Sequence, residues 1–367
     1  MNARLKKFLQ FVGFLSIGVA ILSFVFYKQN AAYQAQCAYE NIPAEECSLL
    51  DKLASDLATV NYEWLVVLVL VFMLSNYFRT VRWQQLIEPL GKRVSFGNAF
   101  WSVMIGYFAN LGFPRAGEVV RAGVLSRYEG VAAEKVMGTV VVDRVLDVLC
   151  LLVVIAIAFV VQWDLLSSLL FAQETEATND GFGLMGYLVL GVATLLLALG
   201  VAWWAYRKFQ HVALVQRIAK LARGFADGLR SVSQVRSMPQ LVFNTVGIWG
   251  CYFLMAYLPF FAYPPTAHLG PDAALMVFIF SALGIVIPSP GGLGSYHFMV
   301  IQALAIYNID GADALSFGNI LFFTINIGCN ILFGLLGLLI LPGLNGGKRV
   351  DLNDAVTPST ERNPEPV

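Results

Sequence analysis

The chain has 367 residues, of which 58% are hydrophobic and only 13% are charged. A soluble domain is about 45–50% apolar and about 25% charged, so this composition excludes an ordinary soluble protein. Lysine plus arginine equal aspartate plus glutamate at 24 each, and this balance gives no reason to expect nucleic acid as a partner. The sequence therefore predicts an integral membrane protein.

Six apolar segments are long enough to be predicted as transmembrane helices, since a span needs about 20 residues. In chain order they are 8–27, 62–78, 136–162, 182–204, 240–262 and 314–341. The first follows three basic residues, as a signal peptide would. Because no clear small-residue cleavage site closes it, we expect a retained anchor.

The positive charges predict the orientation of these segments. If the N-terminus is cytoplasmic, lysine and arginine concentrate on the cytoplasmic side and the opposite loops carry mainly acids, as the positive-inside rule requires. Both termini are therefore predicted to be cytoplasmic in a multi-pass protein of the inner or plasma membrane. Cys37 and Cys47 share the first outside loop, where an oxidising compartment favours a disulfide between them.

Two apolar stretches are interrupted by short runs of Gly and Pro, which end helices. The runs cover residues 112–118 and 288–294, and the flanking legs are 96–113, 117–135, 273–287 and 295–307. Broken helices are tolerated at membrane depth only where they line a cavity or are buried in protein. We therefore predict two re-entrant hairpins, one entering from each face.

The two halves of the chain share a pattern of span, broken hairpin and span, with opposite orientation, as in transporters built from inverted repeats. The alternative is that two Gly/Pro breaks pair by chance. The predicted fold class is all-α, an integral membrane protein with about six full transmembrane helices and two opposed re-entrant helical hairpins in an inverted repeat. Its regions are an anchor helix with an outside loop (1–60), a first repeat (61–162), a span with a basic linker (163–239), a second repeat (240–342) and a disordered cytoplasmic tail (343–367).

The basic linker has apolar residues at helical spacing over 208–236. This pattern fits a helix lying on the anionic cytoplasmic surface. It fits a solvated connector equally well.

The hairpin tips are candidate anion sites, because the first N–H groups of a helix lack partners and carry the positive end of its dipole. Glycines there allow close approach of a ligand to the backbone, and Arg115 and Arg121 offer forked donors for phosphate. The alternative is that the glycines form tight turns and the arginines are membrane anchors.

The span at 136–162 contains Asp143, Arg144 and Asp147, which lie on neighbouring positions of one helix. Charges at membrane depth are costly and must face protein or water, and Glu118 and Arg121 are plausible partners. The group is either a clamp that holds the first hairpin or a headgroup or proton site, and one network can be both.

His297 follows the second tip, where a neutral imidazole donates to a phosphate, titrates during transport or makes an ordinary interhelical hydrogen bond. Asn326 lies on a polar face of the last span that lines a cavity or joins helices. The predicted headgroup-binding residues are Arg115, Gly117, Glu118, Arg121, Asp143, Arg144, Asp147, Pro290, Gly291, Gly292, Gly294, His297 and Asn326. The sequence has no recognisable catalytic motif or metal-ligand spacing, so we predict neither an enzyme nor a cofactor.

Three of these segments resemble those of a known family. Phe113–Arg121 resembles its Pro-x-x-Gly-Glu-x-x-Arg signature, Val142–Asp147 resembles its (Asp/Glu)-Arg-x-x-Asp segment, and Pro288–Gly294 is similar to its second loop. Over roughly 60–342 the chain is similar to the lysylphosphatidylglycerol synthase transmembrane region, also called the flippase-like domain family.

The resemblance implies a multi-pass inner-membrane protein with re-entrant helices. In multiple peptide resistance factors this region is the lipid-flipping part, and archaeal relatives act in dolichol-linked glycosylation. The resemblance also places Arg115, Glu118, Arg121 and the Asp143–Asp147 group around the headgroup path. Two departures are His297, where many members carry glutamate, and the expected lack of an aminoacyl-transfer domain, which argues against synthesis of lysylphosphatidylglycerol.

The leading hypothesis is a lipid flippase that moves a phosphate-bearing headgroup, of a phospholipid or a polyprenyl-phosphate-linked lipid, through a polar mid-membrane cavity. The alternatives are a membrane-embedded lipid-modifying transferase and an accessory scaffold for a lipid- or glycan-modifying enzyme. The expected partners are membrane lipids with an anionic headgroup and, on the last alternative, such an enzyme.

Overall fold

The computed structural model describes residues 3–39, 43, 47–112, 116–163, 235–286 and 292–346. These residues form helices joined by turns, and no strand occurs among them. The predicted span at 182–204 and residues 208–234 of the linker lie outside the described residues, as does the tail beyond 346. The helices are α1 (Ala3–Tyr39), α2 (Leu49–Thr59), α3 (Tyr62–Ile87), α4 (Phe96–Gly112), α5 (Ala116–Glu129), α6 (Ala133–Val161), α7 (Met238–Tyr257), α8 (Pro271–Val286), α9 (Ser295–Ala305), α10 (Gly311–Leu321) and α11 (Asn330–Leu344).

Four helical segments in the described part are long and apolar enough to cross a membrane: Tyr62–Leu90, Ala133–Val161, Met238–Phe261 and Gly311–Leu344. They correspond to four of the six predicted spans, and the predicted anchor at 8–27 lies within α1. The last segment joins α10 to α11 through a π-helical stretch, Phe322–Cys329. π-Helical turns widen a helix locally and are frequent at functional sites.

Capping side chains mark where several of these helices begin. Asn61 Oδ1 accepts a hydrogen bond from the N–H of Glu63 at the start of α3 (3.0 Å), and Asp310 Oδ2 accepts from the N–H of Ala312 at the start of α10 (3.1 Å). Each cap satisfies an N–H group that has no partner within its own helix. The starts of both spans are therefore specified locally by the sequence.

Helices α4 and α5 pack against each other, as do α8 and α9, so both predicted hairpins are present as helix pairs. Their connections, residues 113–115 and 287–291, lie outside the described residues. With 11 residues, α9 is about 16 Å long, whereas the hydrocarbon core is about 30 Å thick. This length suits a leg that turns back within the membrane, although the re-entrant position and the inverted repeat remain predictions.

Polar contacts join the two legs of the first hairpin at its open end and tie the open end of the second to a neighbouring span. At the first hairpin, Glu129 Oε1 accepts hydrogen bonds from Asn98 Nδ2 and from the N–H of Ser95, both at 2.8 Å. At the second, the Tyr307 hydroxyl donates to Gln162 Oε1 at the end of α6 (2.9 Å). These contacts hold the bases of the two helix pairs in place.

Helix α2 is held to two neighbouring helices, α1 and α10. Cys37 of α1 and Cys47 are joined in a disulfide with a Cα–Cα distance of 6.2 Å. The ammonium group of Lys52 contacts Asp56 at 3.0 Å and Asp313 of α10 at 2.6 Å. The Tyr263 hydroxyl donates to the same two carboxylates, so a four-residue polar group joins α2 to α10.

Alkaline conditions are expected to weaken this polar group. Partial burial lowers the pKa of Lys52, but its hydrogen bonds and charge interactions with Asp313 and Asp56 outweigh that effect, and the net pKa is raised above 10.5. A raised folded pKa gives stability that is fully present below the unfolded pKa and is lost as the pH rises through the folded pKa. At pH 8, Lys52→Met is therefore expected to unfold at a lower temperature than the wild type. Above the raised pKa, the two proteins are expected to unfold at the same temperature. Thermal unfolding measured over a range of pH values tests this expectation, with substitution of the exposed Lys92 by methionine as the control. If Lys52→Met lowers the unfolding temperature equally at all pH values, the expectation is wrong.

Candidate functional site

The centre of the site is a buried group of arginines and aspartates contributed by α3 and α6. Arg79 donates to Asp143 Oδ2 and to Asp147 Oδ2, both at 3.1 Å, and to the Tyr252 hydroxyl at 2.7 Å. Arg82 donates to Asp143 Oδ1 and to Asp147 Oδ1, each through Nη2 at 2.6 Å. Residues three or four apart share a helix face. The two arginines of α3 therefore both face α6, and the two aspartates of α6 both face α3.

The first hairpin joins this group through Arg121 of α5. Its Nη2 donates to Asp143 Oδ2 at 3.0 Å, and its guanidinium lies 5.0 Å from the centre of the Trp83 ring. The Trp83 Nε1 group in turn donates to Thr139 Oγ1 at 3.0 Å. Three helices therefore meet at Asp143, which is completely buried.

Such a group is stable in the membrane only as a unit. An isolated buried charge costs several kcal/mol, and removing one member of a buried pair leaves the other uncompensated. Asp143 avoids this because both of its oxygens accept hydrogen bonds from arginines. In the described structure Asp143 therefore links α3 and α5 to α6.

Arg144 and Glu118 extend this group toward a more open region. Arg144 Nε lies 2.8 Å from Glu118 Oε1, and Arg144 Nη1 lies 3.3 Å from Asp147 Oδ2. The side chains of Arg144 and Glu118 are 38% and 37% exposed, whereas Arg82 and Asp143 are fully buried. We refer to these two residues with Arg79, Arg82, Arg121, Asp143 and Asp147 as the arginine–aspartate cluster; its four guanidinium groups and three carboxylates give a formal charge of +1.

A cavity of about 580 Å³ adjoins the exposed side of the cluster, and we call it the central cavity. Residues near both hairpin tips line it: Asn110 and Glu118 beside the first tip, and Ile285 and Gly292 beside the second. Much of its remaining wall is apolar or aromatic. Its other polar wall residues are Ser75, Asn76, Arg79, Tyr107, Arg144, Asp147, Trp249, Tyr252, Ser281, Tyr296, Asn326 and Asn330.

Several donors and acceptors at the site have no hydrogen-bond partner among the described residues. They include Arg79 Nε in the cluster, and Trp249 Nε1 and Asn330 Oδ1 on residues that line the central cavity. Buried polar groups of this kind are costly unless something satisfies them. Together with the positive cluster, they make the cavity suitable for a ligand that combines an anionic group with further polar atoms. The described residues contain no group of three or more side chains suited to hold a metal ion.

The predicted site residues fall into three sets. Glu118, Arg144, Asp147, Gly292 and Asn326 line the central cavity. Gly117, Arg121, Asp143, Gly294 and His297 are buried and do not line the cavity in the described structure, and their contact with a headgroup stays a prediction. Arg115, Pro290 and Gly291 lie outside the described residues.

Gly117 makes its contacts within the first hairpin. Its N–H donates to Asn110 Oδ1 at 2.8 Å, so α4 caps the start of α5 and takes one of the donors that we had assigned to an anion. A Cβ atom on Gly117 would overlap the carbonyl oxygen of Gly106. The glycine therefore permits the two legs of the hairpin to pack closely.

Replacing Gly117 by alanine is expected to destabilise the protein by about 1–3 kcal/mol, because overpacking forces backbone shifts. Gly138→Ala is the matched control, since a Cβ there meets nothing within 4 Å and alanine favours a helix interior by about 0.5–1 kcal/mol. Thermal unfolding in detergent measures both. Equal effects of the two substitutions would show that the close crossing at Gly106 does not matter.

Sequence reasoning missed Arg79, Arg82 and Tyr252. The predicted span ended at 78, and the two arginines were counted with the cytoplasmic positive charges, whereas α3 continues to Ile87 and buries both. Their spacing of three residues, opposite an aspartate pair spaced by four, is the signal that identifies them as partners. Nothing in the sequence near Tyr252 distinguishes it from other aromatic residues of an apolar span.

Comparisons with known proteins were consistent with one family. The family model described as "Lysylphosphatidylglycerol synthase TM region" matches residues 48–344. A UPF0104 membrane protein of Methanocaldococcus jannaschii is 35% identical over 101 residues, which are 27% of this chain and 30% of that protein. A UPF0104 membrane protein of Methanothermobacter thermautotrophicus is 29% identical over 257 residues, 65% of this chain and 73% of that protein.

Glycosyltransferase AglD of Haloferax volcanii is 25% identical over 280 residues, which are 67% of this chain and 44% of AglD. The chain thus spans 30% of the first of these relatives and 44% of AglD. No solved structure matches it significantly.

Proposed function

The chain belongs to the family of the lysylphosphatidylglycerol synthase TM region, and on that premise we propose that it moves a lipid with a phosphate-bearing headgroup across the bilayer. One observation carries the proposal: the central cavity is lined both by residues beside the two hairpin tips and by the exposed face of a positive cluster. A site that adjoins both hairpins is where opposed re-entrant helices are expected to place a transported group.

The size and chemistry of the cavity support this assignment. Sites for small molecules usually measure about 300–1,000 Å³, with apolar walls and a few convergent polar groups, and the central cavity has about 580 Å³. A guanidinium binds phosphate oxygens through two parallel hydrogen bonds. Arg144 is exposed enough to do so, and Glu118 is its present partner.

We propose that the phosphate replaces Glu118 as the partner of Arg144. The rest of the headgroup then occupies the cavity, and the hydrocarbon tails stay in the lipid, where they need no protein site. Arg121 and Asp143 keep α5 attached to α3 and α6, so that the first hairpin moves with those helices as one body. Movement of that body against the second hairpin would open the cavity to each face in turn.

The membrane placement forms part of the proposal. The positive-inside pattern supports cytoplasmic termini and an inner or plasma membrane. The exposed apolar side chains of α6, among them Leu152, Val153 and Val160, supply the lipid-facing surface that this placement requires. The first hairpin would then open toward the cytoplasm and the second toward the opposite side.

A vesicle assay tests the proposal. Purified protein is reconstituted with fluorescent phosphatidylglycerol as the probe, and dithionite, which does not cross the membrane, bleaches the outer leaflet. We expect protein-containing vesicles to lose the inner-leaflet signal as well, while empty vesicles retain it. A glucosylceramide probe without phosphate is the control. No acceleration over empty vesicles for phosphatidylglycerol or for a polyprenyl phosphate probe would overturn the proposal.

The similarity to a relative named as a glycosyltransferase favours a second candidate, a part in transfer chemistry on a lipid, either directly or beside a glycan-modifying enzyme. Asp143 is poorly suited to act as a base there, because arginines occupy both of its oxygens; Glu118 at the cavity edge is the better choice. This candidate predicts a covalently altered lipid in extracts of expressing cells that is absent with Glu118→Gln. Unaltered lipids would exclude it.

A further inference from the structure

His297 is a titratable group that the proposed function does not use. Its side chain is completely buried in the third position of α9, and neither ring nitrogen makes a hydrogen bond of ordinary geometry to another described residue. The ring lies 4.7 Å from the ring of Phe322, centre to centre. Gly318 of α10 also lies next to the imidazole, because a Cβ atom built on Gly318 would be 3.7 Å from His297 Cδ2.

Two neighbours of the imidazole line different cavities of the described structure. One is Tyr296, whose ring is 5.8 Å from that of His297 and which lines the central cavity. The other is Asn319 of α10, a polar side chain close to the imidazole. Asn319 also lines a second cavity of about 350 Å³, between α2, the start of α3 and α10, which we call the outer groove.

The outer groove has a polar edge that leads toward His297. Asp56 and Ser316 line it together with Asn319, and the Ser316 hydroxyl donates to Asp56. Ser316 and Asn319 are three residues apart on α10 and therefore share a face. Polar groups thus follow one another from the outer acid Asp56, through Ser316 and Asn319, to the buried imidazole.

The helices packed against α9 bring no charge to the ring. Helix α10 carries Asp313, which is paired with Lys52; α8 carries Asp272 at its outer start; and on α1 the Lys28 ammonium lies over the Phe24 ring. Within α9 itself the titratable neighbour is Tyr296. In the described part of the chain, no charged group therefore stabilises or opposes a charge on His297, and Asn319 is the polar group that acts on it.

We infer that His297 is a proton carrier that couples movement of the lipid to a proton gradient, through the outer groove on one side and the central cavity on the other. The inference rests on the proposed function, since it supplies the driving force for that transport. A proton from water in the outer groove binds one ring nitrogen of the neutral imidazole and gives an imidazolium. The same proton then leaves to water in the central cavity and restores the neutral ring.

The burial of the ring explains why protons would not leak through this route. In the described conformation the imidazole is closed to water on both sides, so a proton passes only when the helices around it move. Movement of the second hairpin, which carries His297, is the step that the proposed transport requires. Proton transfer and headgroup movement would therefore occur in the same conformational change.

The test uses the full protein in vesicles with fluorescent phosphatidylglycerol and a gradient of one pH unit. If one proton moves with each lipid, this gradient drives roughly a tenfold ratio of probe between the leaflets at steady state. We expect the wild type to approach that ratio and His297→Gln to reach an even distribution. The exposed His268→Gln is the matched control and should behave as the wild type. For each variant, the ratio of probe between the leaflets is compared with and without the pH gradient.

A wild type that flips the probe but ignores the gradient would overturn the inference, as would a His297→Gln variant that retains the gradient response. If His297→Gln fails to fold, Asn319→Leu, which removes the polar neighbour on the groove side, is judged in its place. If the wild type flips no probe, the proposed function fails separately. In that case the rate of proton entry, reported by pyranine inside the vesicles, tests the proton-carrier inference by itself. Equal rates for the wild type and His297→Gln would overturn the inference.

Discussion

Replacing Asp143 by asparagine is expected to destabilise the protein by about 3–5 kcal/mol, the usual cost of removing one member of a buried ion pair. The substitution preserves the size of the side chain but leaves Arg79, Arg82 and Arg121 without the carboxylate on which they converge. Asp147 remains as a counter-charge for only two of them. The detachment of α5 from α3 and α6 should appear as a lower unfolding temperature in detergent and as aggregation on size-exclusion chromatography.

Asp51→Asn is the matched control, because Asp51 makes no side-chain ion pair in the described structure and is exposed. The double variant Asp143→Asn with Arg121→Gln provides a sharper comparison. Residues in one network are not additive, so removing Arg121 as well should cost less than the sum of the two single changes. A stable Asp143→Asn protein, or strict additivity in the double variant, would mean that the cluster does not fasten the hairpin.

Replacing Arg144 by glutamine is expected to slow lipid movement by roughly ten- to a hundredfold, since a hydrogen bond to a charged group contributes about 1.5–3 kcal/mol. The fold should survive, because Arg144 is 38% exposed and Asp147 keeps its pairs with Arg79 and Arg82. The dithionite assay measures the rate with the phosphatidylglycerol probe. Thermal unfolding of the same preparation separates loss of function from loss of structure.

Arg93→Gln is the control for that experiment. It removes an equally charged side chain that is 78% exposed and paired with Glu88, away from the central cavity. It should flip the probe at the wild-type rate. If Arg144→Gln also flips at the wild-type rate, the phosphate does not use Arg144, and the proposed position of the headgroup is wrong.

Much of the architecture could be predicted from the sequence because apolar runs of spanning length have few alternatives. Four predicted spans match helical segments of the described structure, and the helix pairs on either side of the two Gly/Pro breaks occur where they were expected. The predicted span stopped at residue 78, before the end of α3 at Ile87, because Arg79 and Arg82 were assigned to a cytoplasmic loop. In the structure both arginines are buried, and the aspartates of α6 offset their charge.

The site was only partly predictable for a related reason. The pattern Asp143-Arg144-x-x-Asp147 indicates a helix whose charges need partners, because charges within a span are costly, but local spacing does not show which oxygens face a cavity. Asp143 and Asp147 lie one turn apart, and of the two only Asp147 reaches the central cavity. That difference depends on how α3 and α5 pack against α6, which is a tertiary property.

The most direct test of the account is whether the central cavity is aqueous and takes up a phosphate headgroup. A single cysteine replaces either Asn110 or Ser281, beside the first and second hairpins, in a background without the free thiols of Cys150, Cys251 and Cys329. A membrane-impermeant methanethiosulfonate reagent is applied to nanodiscs of a phosphate-free galactolipid, with and without phosphatidic acid. The account predicts that both positions react and that phosphatidic acid slows the reaction. Failure of both cysteines to react, or rates that ignore phosphatidic acid, would contradict it.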